Sequence, residues 1–128
     1  REAFEALQQC YAAAGKVTRA QEGAADARFH LAIAEASHNA VLLHTIRALF
    51  DLLKRNVLTN IGGMYAQRSE TREMLMQQHG ELYAAIAAGQ AEQAREISNR
   101  HIDYVQEALA EVGQEARRTA RAQRRQGL

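Results

Sequence analysis

The sequence predicts an all-α fold, an antiparallel bundle of helices. Alanine, leucine, glutamate, glutamine and arginine dominate its 128 residues, and proline is absent. All five dominant residue types are good helix formers. Apolar side chains recur at the i, i+3, i+4 and i+7 spacing of amphipathic helices, and no segment sustains the period-2 alternation of a strand. The joints between helical segments are short, which favours antiparallel packing.

Two helices are predicted before residue 37, joined by a short polar connection. The first covers residues 2–14 and is expected to end at Gly15. Its apolar positions are Phe4, Leu7 and Tyr11. The second covers residues 20–36. Its expected buried face has the spacing of a helix stripe and consists of Ala25, Phe29, Ala32, Ile33 and Ala36.

Asp26 and His30 lie on the second helix and form the first candidate pair for chemistry. Side chains four residues apart on a helix project together, about 40° apart around the axis. The pair is expected at the edge of the buried face. Small residues on its far side, Ala27 and Ala34, leave room for another helix to pack closely.

A third helix is predicted over residues 40–60, after a break at residues 37–39 in which Asn39 is a suitable N-cap. Its expected apolar face consists of Leu42, Leu43, Ile46, Leu49, Phe50, Leu53 and Val57. The pair Gly62-Gly63 is expected to end or bend this helix.

The fourth and fifth helices are predicted on either side of Gly89. The fourth covers residues 70–88, and its apolar face consists of Leu75, Met76, His79, Leu82, Tyr83 and Ile86. The fifth runs from residue 91 to at least residue 112, and its face consists of Ala94, Ile97, His101, Val105, Ala108, Leu109 and Val112. From Arg117 onward the apolar period fades, and we expect frayed helix or disorder.

Two of the five histidines, His79 and His101, lie at the centres of apolar faces, where side chains point into a core. A lone core histidine is most often a hydrogen-bonded structural residue. His79 lies ten residues before Gly89 and His101 twelve residues after it. Antiparallel helices therefore bring the two histidines to within about 3 Å of the same height. His44 is expected on the solvent side of its helix, and His38 is interpreted as a polar residue of a turn.

Asp26, His30, His79 and His101 together form a candidate set of metal ligands. Three neutral imidazoles and one carboxylate suit a divalent transition metal such as zinc, nickel or manganese. An ion that accepts more than these four ligands would keep positions for water or a small carboxylate. The alternative is a buried Asp–His hydrogen-bond network without a metal, and spacing alone leaves both interpretations open.

The formal charge of +1 is unevenly distributed. Residues 1–116 carry 11 basic and 15 acidic side chains, a formal charge of −4, and nothing in them indicates a nucleic-acid surface. The last segment contains no acid and five arginines, which are Arg117, Arg118, Arg121, Arg124 and Arg125. We interpret it as a solvated end, with a DNA or partner contact as the alternative. Residues 1–115 are assigned to one domain and residues 116–128 to a basic tail.

Other kinds of chemistry have weaker support in the sequence. The single cysteine, Cys10, cannot form an internal disulfide, which fits a reducing cytoplasm. No apolar run reaches the length of a membrane span, and no glycine-rich loop suited to phosphate is present. A metal-dependent enzyme would need a general base. The nearest spare carboxylate, Glu35, is expected to face solvent, so we do not expect an enzyme.

The order of these residues resembles a known family. Asp26 and His30 within DARFHLAIAEASHN, then His79 before LYAAIAAGQAEQA, then His101, resemble the effector-binding C-terminal (FCD) domain of FadR-type regulators in the GntR family of bacterial transcription factors. The similarity extends over about residues 1–112. It implies an all-α bundle in which these four side chains bind a divalent metal, with zinc favoured. A small carboxylate effector would reach the open positions of that metal.

The resemblance has further implications for partners. Operator DNA would be bound by a homodimer through a winged helix-turn-helix, and that domain, with about the first helix of the effector domain, is expected to precede this sequence. No DNA-binding residue is then expected within these residues, and Asn39 is a candidate effector contact.

The effector expected from the resemblance is a short 2-hydroxy or 2-oxo monocarboxylate. The segments FHLAIAEASHNAVLLHTIRALFDLL, NVLTN and MYAQR are most similar to regulators of L-lactate utilisation. MYAQR and AREISNRH are also similar to repressors of the pyruvate dehydrogenase complex. L-lactate is therefore favoured, with pyruvate and glycolate as alternatives. A metal-dependent enzyme and a helical dimerisation module with a structural polar core are the alternatives from other classes.

Overall fold

The computed structural model describes residues 1–13, 17–49 and 70–126. Every regular element in these ranges is a helix, which confirms the predicted all-α class. The helices are α1 (Glu2–Ala12), α2 (Arg19–Ala36), α3 (described over 40–49), α4 (Thr71–Ala87) and α5 (Ala91–Gln126). The chain divides into two compact units, Arg1–Gly62 and Gly63–Leu128. Among the described residues, no helix combines the length and hydropathy that crossing a membrane requires.

In the first unit α1 packs against α2. Leu7 is completely buried, and Phe4 and Tyr11 are buried on the same face of α1, as their spacing predicted. The rings of Phe4 and Phe29 lie with their centroids 5.7 Å apart. The aromatic pair thus joins the two helices at the N-terminal end of the α1 stripe.

The buried side of α2 is broader than the predicted stripe. Its buried residues are Glu22, Gly23, Ala25, Ala27, Phe29 and Ala34, which cover about 200° of the helix circumference. Ala36 of the predicted face is exposed, and Ala32 and Ile33 are only partly buried. Asp26 and His30 therefore lie near the middle of the buried arc, not at its edge as predicted, because the alanines on their far side are buried as well.

Local hydrogen bonds define both ends of the α2 region. Thr18 and Gln21 form a capping box, in which Gln21 N donates to Thr18 Oγ1 at 3.2 Å and Thr18 N donates to Gln21 Oε1 at 2.9 Å. Beyond α2, His38 has a left-handed backbone with a φ of 53° and is exposed. Asn39 Oδ1 then accepts from Leu42 N at 3.0 Å, which confirms Asn39 as the N-cap of α3.

The described part of α3 presents a mostly exposed surface. Leu42 is 41% exposed and Leu49 44% exposed, so this part of the predicted apolar face is not buried as expected. Within the described residues, only Leu43 and Ile46 of that face are partly covered. His44 faces solvent, as predicted. The other residues predicted for this region lie outside the described residues: Phe50, Leu53, Val57 and Gly62-Gly63. Gly15, the predicted end of the first helix, also lies outside them.

In the second unit α4 and α5 form an antiparallel hairpin around Gly89. The φ of Gly89 is 69°, a conformation that glycine adopts without strain, and Gln90 N closes the turn by donating to Ala85 O at 2.9 Å. Far from the turn, Tyr104 OH donates to Thr71 Oγ1 at 3.2 Å. The core at that end consists of Leu75 and Ala108, packed against by Tyr104, Val105, Leu109 and Val112.

Two predictions for this hairpin are wrong. On α4 the buried residues are Thr71, Leu75, Gln78, His79, Leu82 and Ala85, whereas Met76 is 44% exposed and Ile86 39% exposed. The polar residues of this face are tolerated because Thr71 and Gln78 hydrogen-bond to α5. On α5 the helix does not fade near Arg117 but extends to Gln126. Alanine, arginine and glutamine keep a high helix propensity after the apolar period has ended.

Candidate metal centre

His79 and His101 meet in the interior of the second unit. The centroids of their rings lie 4.7 Å apart with an interplanar angle of 53°. His79 has no exposed surface and His101 is only 7% exposed. The antiparallel hairpin around Gly89 thus brings together the two histidines at the height that their spacing predicted.

Gln78 holds the ring of His101. Its Oε1 lies 2.9 Å from His101 Nδ1, and Gln78 itself is 4% exposed. An amide oxygen is an acceptor, so His101 carries a proton on Nδ1, and the neutral form of the ring then has its lone pair on Nε2. An imidazole whose one nitrogen donates to a fixed acceptor while the other is unprotonated is the usual form of a metal-binding histidine.

Asp26 and His30 form the second pair, on α2. His30 Nε2 lies 4.0 Å from Asp26 Oδ2, one helical turn away. The side chain of Asp26 is 18% exposed. The ring of Phe29 lies edge-on to the ring of His30, with centroids 5.5 Å apart. The predicted pair is therefore present on one face of one helix.

Burial shifts the pKa of both residues in the direction that favours the neutral form. The pKa of His30 is lowered from 6.5 to about 4, because burial disfavours the imidazolium. At neutral pH His30 is therefore a neutral imidazole, the form that binds metals. The pKa of Asp26 is raised from 3.8 to about 7, by burial first and by the nearby carboxylate of Glu22 second. A bound cation would reverse the shift at Asp26, since it stabilises the ionised carboxylate.

Glu22 is the neighbour that sequence reasoning missed. It lies one turn before Asp26 and is 6% exposed, an unusual degree of burial for a carboxylate. The available signal was the i, i+4, i+8 spacing of Glu22, Asp26 and His30. Gln78 was missed as well, since nothing in a sequence marks an amide adjacent to a histidine as a partner for a histidine on another helix.

The other predicted residues have defined places. Asn39 caps α3 with its Oδ1, and its role in binding an effector stays a prediction. Glu35 is exposed and pairs with Arg47 at 3.0 Å, as expected for a carboxylate that faces solvent. The structure thus brings together each of the two pairs, Asp26 with His30 and His79 with His101. That all four bind one metal ion stays a prediction.

An open groove along α4 and α5 is not suited to a carboxylate ligand. Its lining is Met74, Gln78, Glu96, Asn99, Arg100, Asp103, Tyr104 and Glu107. Three of these side chains are acids, and the one arginine, Arg100, already pairs with Glu81. A small anion would be repelled by this surface.

Known proteins similar to this chain are regulators. The FCD domain family matches residues 1–104. A protein of Escherichia coli K12 named for regulation of the L-lactate dehydrogenase operon is 37% identical over 123 residues, which are 96% of this chain and 47% of that protein. The Glc operon transcriptional activator of the same strain is 31% identical over 68% of this chain and 34% of its own length. The HTH-type transcriptional regulator LutR of Bacillus subtilis 168 is 30% identical over 67% of this chain and 39% of its own length. The chain spans less than half the length of these relatives.

Proposed function

The chain belongs to the FCD domain family, and from this premise we propose that it is the effector-sensing domain of a GntR-type transcription regulator. The matched family covers most of the described residues, and the similar proteins are named as regulators of operons. Family and relatives indicate a regulator and not an enzyme. The whole protein would act in the cytoplasm as a homodimer that binds operator DNA through a separate N-terminal domain.

We propose that Asp26, His30, His79 and His101 bind one divalent metal ion, with zinc favoured over nickel and manganese. The observation that carries this proposal is the buried contact of His79 with His101, whose ring centroids are 4.7 Å apart. The donor set fits the ion: His30 is neutral at neutral pH, and Gln78 keeps the lone pair of His101 on Nε2. Three imidazoles and one carboxylate match the ligand types of these metals.

The effector that fits this site best is a small 2-hydroxy carboxylate, L-lactate in the first place. When bound, the metal ion would supply positions for the carboxylate and the 2-hydroxyl of the effector. Similarity to a protein named for the L-lactate dehydrogenase operon supports this choice. Pyruvate and glycolate, which have the same carboxylate with a 2-oxo group or a smaller 2-hydroxy skeleton, are the alternatives.

Regulation would follow from differential affinity. An effector shifts an equilibrium between two arrangements of a dimer only if it binds one of them more tightly. We therefore propose that L-lactate favours one arrangement of the homodimer and so changes its affinity for operator DNA.

Calorimetry on the full-length regulator loaded with zinc tests the effector proposal. We expect L-lactate to bind, and pyruvate and glycolate to bind more weakly. The matched control is zinc-loaded protein with His44→Ala, which alters an exposed histidine outside both pairs and should bind L-lactate unchanged. If none of the three acids gives a heat of binding, the effector proposal is contradicted.

The third interpretation, a helical dimerisation module with a structural polar core, differs in its response to chelators. A structural Asp–His network would be indifferent to a chelator and would contain no metal after purification. A metal-binding sensor should lose thermal stability when the chelator is added, because metal that binds only the folded state stabilises it.

A further inference from the structure

The C-terminal part of α5 carries five arginines on a single face. They are Arg117, Arg118, Arg121, Arg124 and Arg125, which we call the arginine stripe. Their spacing is i, i+1, i+4, i+7 and i+8. At about 100° per residue these positions fall within an arc of about 120° on an α-helix. Because α5 is helical to Gln126, the basic segment presents an ordered row of guanidinium groups.

The stripe is exposed and has little counter-charge of its own. All five arginines are exposed, and the apolar packing of α5 against α4 ends at Val112. The last acidic residue of the sequence is Glu115, whose Oε2 lies 3.8 Å from Arg118 Nη1. The side chain of Arg118 remains 76% exposed in that pair. One carboxylate thus faces five guanidinium groups.

The helix macrodipole accounts for only part of the stripe. Cations in the last turn of a helix are stabilised by the partial negative charge there, and this applies to Arg124 and Arg125. Arg117, Arg118 and Arg121 lie one to two turns earlier. Like charges at i, i+4, such as Arg117 with Arg121, destabilise a helix. A polyanion bound along the stripe would remove this repulsion.

We propose that the arginine stripe binds the phosphate backbone of duplex DNA. Arginine is suited to phosphate because its planar fork donates two parallel hydrogen bonds. The stripe is about 12 Å long at 1.5 Å per residue, and B-DNA presents a negative charge about every 1.7 Å of its axis. Contacts to phosphates carry no sequence information, so the stripe adds affinity and not specificity. This proposal rests on the proposed function only in that a transcription regulator works beside DNA.

The opposite face of the helix argues against a membrane. It consists of Ala116, Thr119, Ala120, Ala122 and Gln123. A helix that lies in a membrane interface buries large apolar residues such as leucine, phenylalanine or tryptophan. This face has none, so a purely electrostatic contact with a regular polyanion fits the helix better.

The test is fluorescence anisotropy of a labelled duplex of arbitrary sequence, titrated with the 128-residue chain at several salt concentrations. The variant with Arg117→Gln, Arg121→Gln and Arg124→Gln removes three charges from the stripe. The control variant with Arg19→Gln, Arg28→Gln and Arg95→Gln removes three charges from exposed arginines elsewhere. Glutamine has nearly the helix propensity of arginine, and circular dichroism checks that both variants keep the helical content.

We expect the stripe variant to bind at least about tenfold more weakly at low salt and to lose about 2 to 3 from the slope of log K against log salt. The control should keep most of the affinity. Equal binding by the two variants, or no binding by the unaltered chain, would overturn the proposal. So would preferential binding to vesicles of anionic phospholipid, or salt-sensitive self-association without DNA that depends on the stripe. Metal content measured on the same samples separates this outcome from failure of the proposed sensor, since the stripe lies outside the four ligand residues.

Discussion

At the scale of single residues, Gln78 determines which nitrogen of His101 can bind a cation. The hydrogen bond of 2.9 Å to Nδ1 fixes both the tautomer and the rotation of the ring. The bond is buried, so water cannot easily replace the amide oxygen. Gln78 is therefore a positioning residue that acts through His101.

Replacing Gln78 with alanine should weaken divalent metal binding by about 10–100-fold, the usual cost of removing such a partner. Competition with a chromophoric chelator of known affinity measures this. The matched control is Gln77→Ala, because Gln77 is exposed and donates to Glu81 on its own helix. Equal zinc affinity of the two variants would show that Gln78 does not orient the ligand.

Asp26 makes the metal-free protein less stable as the pH rises. Its pKa is about 7 in the folded chain and 3.8 as a free side chain, so the folded state binds the proton more tightly than the unfolded state does. Below pH 3.8 the carboxyl is protonated in both states and has no effect. Between pH 3.8 and about 7 the folded state loses stability, and above about pH 7 the loss is complete.

Asp26→Asn should therefore stabilise the metal-free chain by about 1–3 kcal/mol near pH 8 and have little effect near pH 4. Urea unfolding in the presence of chelator measures the difference. The same variant should lose the stabilisation that zinc gives the unaltered chain, because the charged ligand is gone. A stability difference that is constant with pH would contradict the account of Asp26.

His30 has the opposite pH dependence in the metal-free chain. Its pKa falls from 6.5 to about 4 on folding, so its neutral form is favoured in the folded state. Above pH 6.5 His30 is neutral in both the folded and the unfolded state and costs no folding stability. As the pH falls from 6.5 toward 4, the unfolded state takes up the proton first, and the folded state loses stability. Between pH 4 and 6.5, Asp26 and His30 therefore change the folding stability in opposite directions as the pH rises.

At the scale of elements, two glycines without close neighbours differ only in backbone conformation. Gly113 lies inside α5, and Gly89 has a φ of 69° at the end of α4. A Cβ added at either position would meet nothing within 4 Å. The effect of alanine at each position therefore reports on the backbone alone.

Gly113→Ala should stabilise the chain by about 0.5–1 kcal/mol, because alanine favours the helix interior. Gly89→Ala should destabilise it by about 1 kcal/mol, because a left-handed backbone strains a residue with a Cβ. Thermal unfolding followed by circular dichroism measures both. Destabilisation by Gly113→Ala would contradict a continuous α5 that carries the arginine stripe.

The helices were predictable from the sequence, but the exact faces that they bury were not. Apolar spacing located α1, α2, α4 and the first part of α5 to within a few residues, and Gly89 marked the turn correctly. The predicted buried face of α4 was partly wrong. Met76 and Ile86 were assigned to it because they are apolar, whereas the face that is buried includes Thr71 and Gln78. Polar residues are buried when a partner on another helix satisfies them, and a partner of this kind cannot be read from spacing.

The candidate site was predictable in pairs. The spacing of four residues placed Asp26 beside His30, and similar distances from Gly89 placed His79 beside His101. The buried position of Glu22, whose carboxylate charge raises the pKa of Asp26 further, was not foreseen.

At the scale of the whole molecule, the central claim is that both pairs serve one metal ion. Asp26 and His30 come from α2, whereas His79 and His101 come from α4 and α5. If all four bind the same ion, removal of any one histidine weakens the entire site. If each pair acted alone, a variant in one pair would leave the other pair as it was. The two cases therefore differ in the metal content of single variants.

The measurement is the metal content of the purified chain after dialysis, compared among the unaltered protein, His30→Ala, His101→Ala and the control His44→Ala. We predict about one equivalent of divalent metal in the unaltered protein and in the control, and less than about a tenth of that in the other two. Metal retained by His30→Ala but lost by His101→Ala would assign the ion to α4 and α5 alone and contradict the four-ligand site. An unaltered protein without metal would contradict the sensor mechanism as a whole.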